Sequence, residues 1–292
     1  MDAIILKSQG EDGEILQATF LPEKGMNLIS YKKGEIEVIA QSTKPLFEER
    51  FAGLGALIGP HFHRRHPAVI PLIKNETLFP HIARVKEKGI KDPFSHGIAR
   101  YAPWQAKSSQ DKVTAKLTGK DQWNNVSLAE LEGQNFTIEM EASLSPKGLN
   151  IILSVVSEVD SLIGFHYYYN LPNKTGIVKA KVQKQMREDG EVQKVPSTWN
   201  LSEEQDLHFD LREPADYTFY PFPNACEGQI ELVTSEYKLI TTYLSASQEN
   251  CWQLYHPEGS SFVCIEPISS QDPLHPNLTA STLQINLEIK DS

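Results

Sequence analysis

Glutamate and histidine are the side chains best suited to moving a proton near neutral pH. Four segments of this chain set one or the other among small, aromatic or turn-forming neighbours. In Phe262-Val263-Cys264-Ile265-Glu266-Pro267-Ile268, a carboxylate ends an otherwise apolar strand. Such a group is costly there unless it is hydrogen-bonded or put to use. Loss of hydration would raise its pKa and make it a better base near neutrality, the alternative being a carboxylate at a strand's rim. In Ile163-Gly164-Phe165-His166-Tyr167-Tyr168-Tyr169-Asn170, successive side chains alternate faces, so the three tyrosines cannot all point into a core. Rings flanking a histidine suit a sugar, whose C–H faces stack on aromatic surfaces while its hydroxyls reach polar groups. An aromatic core strand with a hydrogen-bonded His166 is the other reading.

Ser95-His96-Gly97-Ile98-Ala99-Arg100-Tyr101-Ala102-Pro103-Trp104 sets His96 before a glycine, a place natural for a loop histidine as well as a functional one. From Gly53 to Pro67, Gly53, Gly55 and Gly59 precede a basic cluster, which predicts a loop whose backbone can approach a ligand. His61, His63 and His66 invite a metal reading, since a His-x-His pair on a strand points both imidazoles to one face. No carboxylate or cysteine follows within nine residues, and Arg64 and Arg65 bring like charge to the place a cation would occupy. A cupin-like metal enzyme is therefore the lesser reading.

The elements that must position these residues read as strands. Phe136 to Leu144 alternates Phe136, Ile138, Met140 and Ala142 against Thr137, Glu139, Glu141 and Ser143. Ser145-Pro146-Lys147-Gly148 then turns the chain into Leu149–Val156, which predicts a hairpin. Further strands are expected at Ile36–Ala40, Val113–Leu117, Gly176–Val182, Gln229–Thr234, Lys238–Leu244, Ser261–Ile265 and Thr282–Ile289, with one helical turn over Ser127–Glu132. No Pro/Gly/Ser-rich linker and no repeat interrupts the series. The fold class is all-β, a single domain over 1–292 built as one large β-sandwich.

The chain has 292 residues, 40% hydrophobic and 23% charged, which suffices for a core without disulfides or a structural metal. Its formal charge of −10, from 38 acidic and 28 basic residues, repels phosphate backbones and argues against nucleic acid as a partner. Cys226, Cys251 and Cys264 show no metal or redox spacing and read as free thiols. The first residues contain an apolar run too short for a signal peptide, and no stretch approaches a membrane span. A cytoplasmic protein is expected, of unspecified oligomeric state.

Taken together, in order and spacing, the four segments resemble the aldose 1-epimerase (galactose mutarotase-like) superfamily. Gly164-Phe165-His166-Tyr167-Tyr168-Tyr169 is similar to that family's Gly-Phe-His-Pro-Tyr-Phe strand, and Ile265-Glu266-Pro267 to its catalytic glutamate strand. His96-Gly97 with Arg100 and Pro103-Trp104, and Gly59-Pro60 followed by Arg64, add to the match. The resemblance implies an antiparallel β-supersandwich and an isomerase that interconverts the anomers of an aldose. Glu266 would remove the anomeric hydroxyl proton and His166 would protonate the ring oxygen. His96 and Arg64 would hold the sugar, with Asp216 as the family's sugar-binding aspartate and Asp210 as runner-up. Opening a hemiacetal needs one proton removed and one donated a few ångströms apart, so neither metal nor organic cofactor is required. His63 stands where the family usually has asparagine and Tyr167 where proline is common, which touches the choice of sugar more than the reaction. A hexose-6-phosphate mutarotase, with Arg64, Arg65 and Arg100 supplying charge for phosphate, and a non-catalytic carbohydrate-binding protein are the alternatives.

Overall fold

The computed structural model describes residues 2–292. The expected hairpin is formed by Phe136–Ser145 and Gly148–Ser161, paired from Phe136 opposite Ser157 to Ser145 opposite Gly148. Phe136, Ile138, Met140, Ala142 and Leu144 are buried, as their period of two requires.

Two antiparallel layers form around this pattern. One runs, neighbour to neighbour, through Ile4–Gln9, Ile15–Leu21, Asn27–Lys33, Gly55–Ile58, Gly164–Asn170, Phe262–Ile268, Cys251–His256 and Ala215–Pro221. The other runs through Gln105–Ser108, Lys112–Thr118, Phe136–Ser145, Gly148–Ser161, Leu278–Asp291, Tyr237–Ser245 and Glu227–Val233. Strand Ile177–Glu188 belongs to both. Its first half pairs with Glu227–Val233 and its second half with Ala215–Pro221. The layers are also tied by Tyr31, whose hydroxyl donates to the Leu287 carbonyl at 2.9 Å and accepts from the Leu149 amide at 3.2 Å. The fold is thus the large antiparallel β-sandwich expected.

The helical turn at Ser127–Glu132 is helix Leu128–Glu132, capped by the Ser127 hydroxyl, which accepts from the Glu130 amide. Two expectations need correction. Gly55–Ile58 is a buried strand, not part of a glycine loop. A Cβ at Gly55 would come within 2.6 Å of the Leu28 carbonyl, so glycine serves close strand approach here. Ile36–Ala40 pairs as a strand only over Ile36–Glu37. Beyond it a single bridge joins Ile39 to Tyr169, with main-chain bonds from Ala40 to Tyr168 and from Asn170 to Val38, while the Glu37 carboxylate accepts the amides of Tyr31 and Ile39 and the Ser30 hydroxyl. Helices Lys44–Arg50 and His81–Glu87, unforeseen in the sequence, lie in the long excursion between the Asn27–Lys33 strand and Gln105–Ser108.

Candidate active site

The register of the first layer assembles the site. In strand Gly164–Asn170, Phe165, Tyr167 and Tyr169 join the core, which leaves His166 and Tyr168 on the opposite face. Strand Phe262–Ile268 sends Val263 and Ile265 to the core and leaves Cys264 and Glu266 beside them. The two strands pair with Tyr167 opposite Ile265 and Tyr168 opposite Cys264, so His166 faces Glu266. On the far side Gln253 stands opposite Glu266 and Tyr255 opposite Cys264, and then Thr218 and Asp216 opposite those two. Two adjacent rows across the sheet therefore carry His166–Glu266–Gln253–Thr218 and Tyr168–Cys264–Tyr255–Asp216. Cross-strand neighbours sit about 5 Å apart, so residues a hundred positions apart in sequence become partners.

The excursion supplies the walls. A cavity of about 240 Å³ is lined from the sheet by His166, Tyr168, Asp216, Gln253, Tyr255 and Glu266. From the excursion come Arg50, Phe62, His63, His96, Arg100 and their apolar neighbours. His166 Nε2 lies 3.4 Å from Glu266 Oε1. The His166 ring stacks on Tyr168 at 4.9 Å and meets the edge of His96 at 5.1 Å. Asp216 accepts from the Gln253 amide, whose oxygen accepts from the Thr218 hydroxyl. His96 adopts a left-handed backbone, φ +67°, held because its amide donates to the Phe62 carbonyl at 2.8 Å and its carbonyl accepts from Gly59 at 2.9 Å. Gly97 follows at φ +88°, and a Cβ there would lie 1.9 Å from the Gly59 carbonyl oxygen.

Burial governs the charges. It pushes the Glu266 carboxyl well above the usual carboxylate range, opposed by the Arg100 guanidinium. It holds His166 and His96 well below the usual imidazole value, with Arg100 acting in the same direction. The two shifts run in opposite senses, and both favour the uncharged form of the group concerned. His166 Nδ1, Glu266 Oε2, His96 Nδ1, and Arg100 Nε and Nη2 are buried without a hydrogen-bond partner. Unsatisfied groups of this kind, aimed at one cavity, are costly to the fold.

Glu266, His166, His96 and Asp216 thus come together on one cavity. Asp210 does not: it is an exposed-side partner of Arg212 on strand Asp206–Asp210. Arg64 is not brought to that cavity. It is exposed and outside the cavity lining, because the chain turns so that Arg65 points inward to Asp92 and Glu132. Arg100 and Arg50 are the arginines of the cavity, while Arg65, considered for phosphate, is consumed by its carboxylates. Sequence reasoning passed over Arg50, Gln253 and Tyr255. For the last two, the alternation in Cys251–His256 was a usable signal.

The three imidazoles at 61, 63 and 66 do not form a ligand set. Residues 61–66 are not a strand, and His61 turns to Glu132 while His63 packs on His96 at 4.5 Å. Among the described residues, the one trio of suitable type is His166, Cys264 and Glu266, whose ligand atoms lie within 4.8 Å of one another. Burial pushes the Cys264 thiol well up, and the Arg100 guanidinium faces all three groups. The fixed positive charge of Arg100 beside these groups opposes a dication there. No helix among the described residues is long and apolar enough to cross a membrane.

No family model and no curated protein matches the chain. Solved structures do. The GalM/aldose epimerase homologue from C. elegans superposes with a TM-score of 0.69 at 13% identity, covering 99% of both chains. A galactose mutarotase-like protein from Lactobacillus casei gives 0.67 at 14% identity, covering 99% of this chain and 100% of that one. One from Clostridium acetobutylicum gives 0.59 at 13%, covering 100% and 99%. The chain thus shares the fold of galactose mutarotase-like proteins.

Proposed function

We propose that the protein is an aldose 1-epimerase, interconverting the α and β anomers of a free sugar by opening and reclosing its ring. The observation that carries this reading is the pairing of His166 and Glu266 at 3.4 Å across two strands, in a cavity sized for a single monosaccharide. Ring opening in one sense takes the anomeric hydroxyl proton to Glu266 while His166 delivers one to the ring oxygen. The C1–O5 bond breaks and C1 becomes an aldehyde. Rotation about C1–C2 presents the other carbonyl face, and reclosure runs both transfers backwards. The working form needs Glu266 ionised and His166 protonated, one proton transfer away from the uncharged forms that burial favours. The Arg100 guanidinium favours the ionised carboxyl. Tyr168 and Phe62 offer faces to the sugar ring, while His96, Asp216 and Arg100 offer hydrogen-bonding groups to its hydroxyls.

The test is polarimetry on freshly dissolved single anomers of common aldoses. Added protein should speed the relaxation to equilibrium for at least one of them. An unchanged rate for every aldose and aldose phosphate tried would refute the enzyme and leave a carbohydrate-binding protein.

A hexose 6-phosphate is the second reading, favoured by Arg50 and Arg100 lining one cavity and by the unpaired Nε and Nη2 of the latter. Guanidinium groups with free donors suit a phosphate. A higher kcat/KM for glucose 6-phosphate than for glucose would select it.

A further inference from the structure

Behind the cavity wall, the buried His61 and Glu132 meet the partly buried Arg65 and Asp92. His61 Nδ1 lies 2.8 Å from Glu132 Oε1, and His61 Nε2 lies 3.4 Å from Asp92 Oδ2. Arg65 grips Asp92 through Nε at 2.8 Å and Nη2 at 3.1 Å. Its Nη1 donates to the Glu132 main-chain carbonyl and lies 3.1 Å from Glu132 Oε2. The group joins three separate pieces of chain: the 59–66 turn, the 90–97 turn and the end of helix Leu128–Glu132.

Its members adjoin the wall residues directly. His61 precedes Phe62 and His63. Asp92 Oδ1 also accepts the Phe94 amide at 2.8 Å, two residues before His96, and Arg65 lies 6.0 Å from the Phe94 ring centre. The left-handed His96 in turn hangs on the Phe62 and Gly59 backbone. With His61 protonated, two cations balance two carboxylates. With His61 neutral, one negative charge is left unbalanced in a buried place, which is costly.

We propose that His61, Arg65, Asp92 and Glu132 are positioning residues for the sugar site, holding Phe62, His63 and His96 in the cavity wall only while His61 is protonated. The inference rests on the catalytic reading above. The groups facing His61 are Glu132 from the helix, Asp92 from the turn before His96, Arg65 on its own turn, and His63 and His96 on the cavity side. Burial by itself would lower the His61 value, but Glu132 and Asp92 outweigh it and raise it. A raised histidine contributes ordering fully below its unfolded-state value and loses it as pH rises through the folded one. The wall therefore loosens on the alkaline side. The acid–base pair does not, because it stands on the sheet.

The experiment is a pH titration of histidine-labelled protein by NMR, alongside mutarotation kinetics. His61 should titrate above free histidine, and the His96 resonances should move with the same midpoint. Through that midpoint KM should rise about tenfold, the worth of about one hydrogen bond, while kcat follows the His166–Glu266 pair and shows no inflection at the His61 midpoint. Glu132→Gln should bring the His61 midpoint below free histidine and raise KM at neutral pH. Should that variant fail to fold, Asp92→Asn and the wild-type titration carry the decision. A wild-type His61 midpoint below free histidine, or a folded Glu132→Gln protein with unaltered KM, overturns the proposal. If no sugar is turned over, the NMR midpoints of His61 and His96 still decide the clamp, and only the catalytic reading falls.

Discussion

Replacing Glu266 by glutamine keeps its volume and lets the amide nitrogen face His166 Nε2, so the packing of the buried strand is undisturbed. The substitution removes the proton acceptor, and mutarotation should fall about 10²–10⁴-fold. Its effect on stability has the opposite sign. Burial raises the Glu266 carboxyl well above its unfolded value, so folding near neutrality must take up a proton. A carboxyl raised in the native state costs stability above its unfolded pKa of about 4.3, at about 1.4 kcal/mol per pH unit until the native group itself ionises. Glutamine removes that cost. Glu266→Gln should therefore melt higher than the parent near pH 6, by roughly 3 °C for each pH unit above the unfolded value. The two proteins should converge near pH 4, where both side chains are neutral. Thermal melts by circular dichroism across pH 4–7, paired with polarimetry, read both quantities. A variant that stays within tenfold of full activity removes Glu266 from proton transfer. A Tm difference that does not depend on pH shows that Glu266 is ionised in the native protein, which would refute the burial argument.

Other substitutions separate the neighbouring groups. Asp216→Asn should raise KM about tenfold, the worth of one charged hydrogen bond to a sugar hydroxyl, whereas Asp210→Asn should leave KM within a factor of two in the same assay. Arg100→Met should raise KM about 10- to 100-fold and Arg64→Ala should not, because the second side chain is exposed outside the cavity. Comparing glucose with glucose 6-phosphate in Arg100→Met shows whether the loss falls on the phosphorylated sugar. Gly97→Ala should cost about 2 kcal/mol or more in denaturant unfolding, since the new Cβ meets the Gly59 carbonyl at 1.9 Å in a left-handed backbone. An unaltered midpoint would mean that the 59–62 turn yields easily.

The floor of the cavity was legible in the sequence because a strand has only two faces. Alternation meant that the three tyrosines could not all be core, and the structure buries Phe165, Tyr167 and Tyr169 on one side and leaves His166 and Tyr168 on the other, as it does Val263 and Ile265 against Glu266. What no single strand reveals is which strands are neighbours. That is why Gln253 and Tyr255, on a strand between those bearing Glu266 and Asp216, went unremarked. The walls were less readable still. Helix His81–Glu87 spans seven residues, too short for a firm 3.6-residue period, and its Pro80 and the preceding turn residues mask the start. Arg64 and Arg65 are chemically alike in the sequence. Which of them turns inward is decided by Asp92 and Glu132, carboxylates 27 and 67 residues away.

The two rows of the floor share a backbone with the core, since each polar side chain is flanked by residues packed on the other side of the same sheet. Spacing between the reacting groups is consequently set by inter-strand distance, a quantity that no ligand can alter without melting the protein. The walls are the freer variable, because apart from strand Gly55–Ile58, which pairs with the His166 strand, the excursion between residues 44 and 104 lies outside that sheet. Substitutions in the 59–66 and 90–104 segments can therefore reshape the cavity while the spacing of its floor stays fixed.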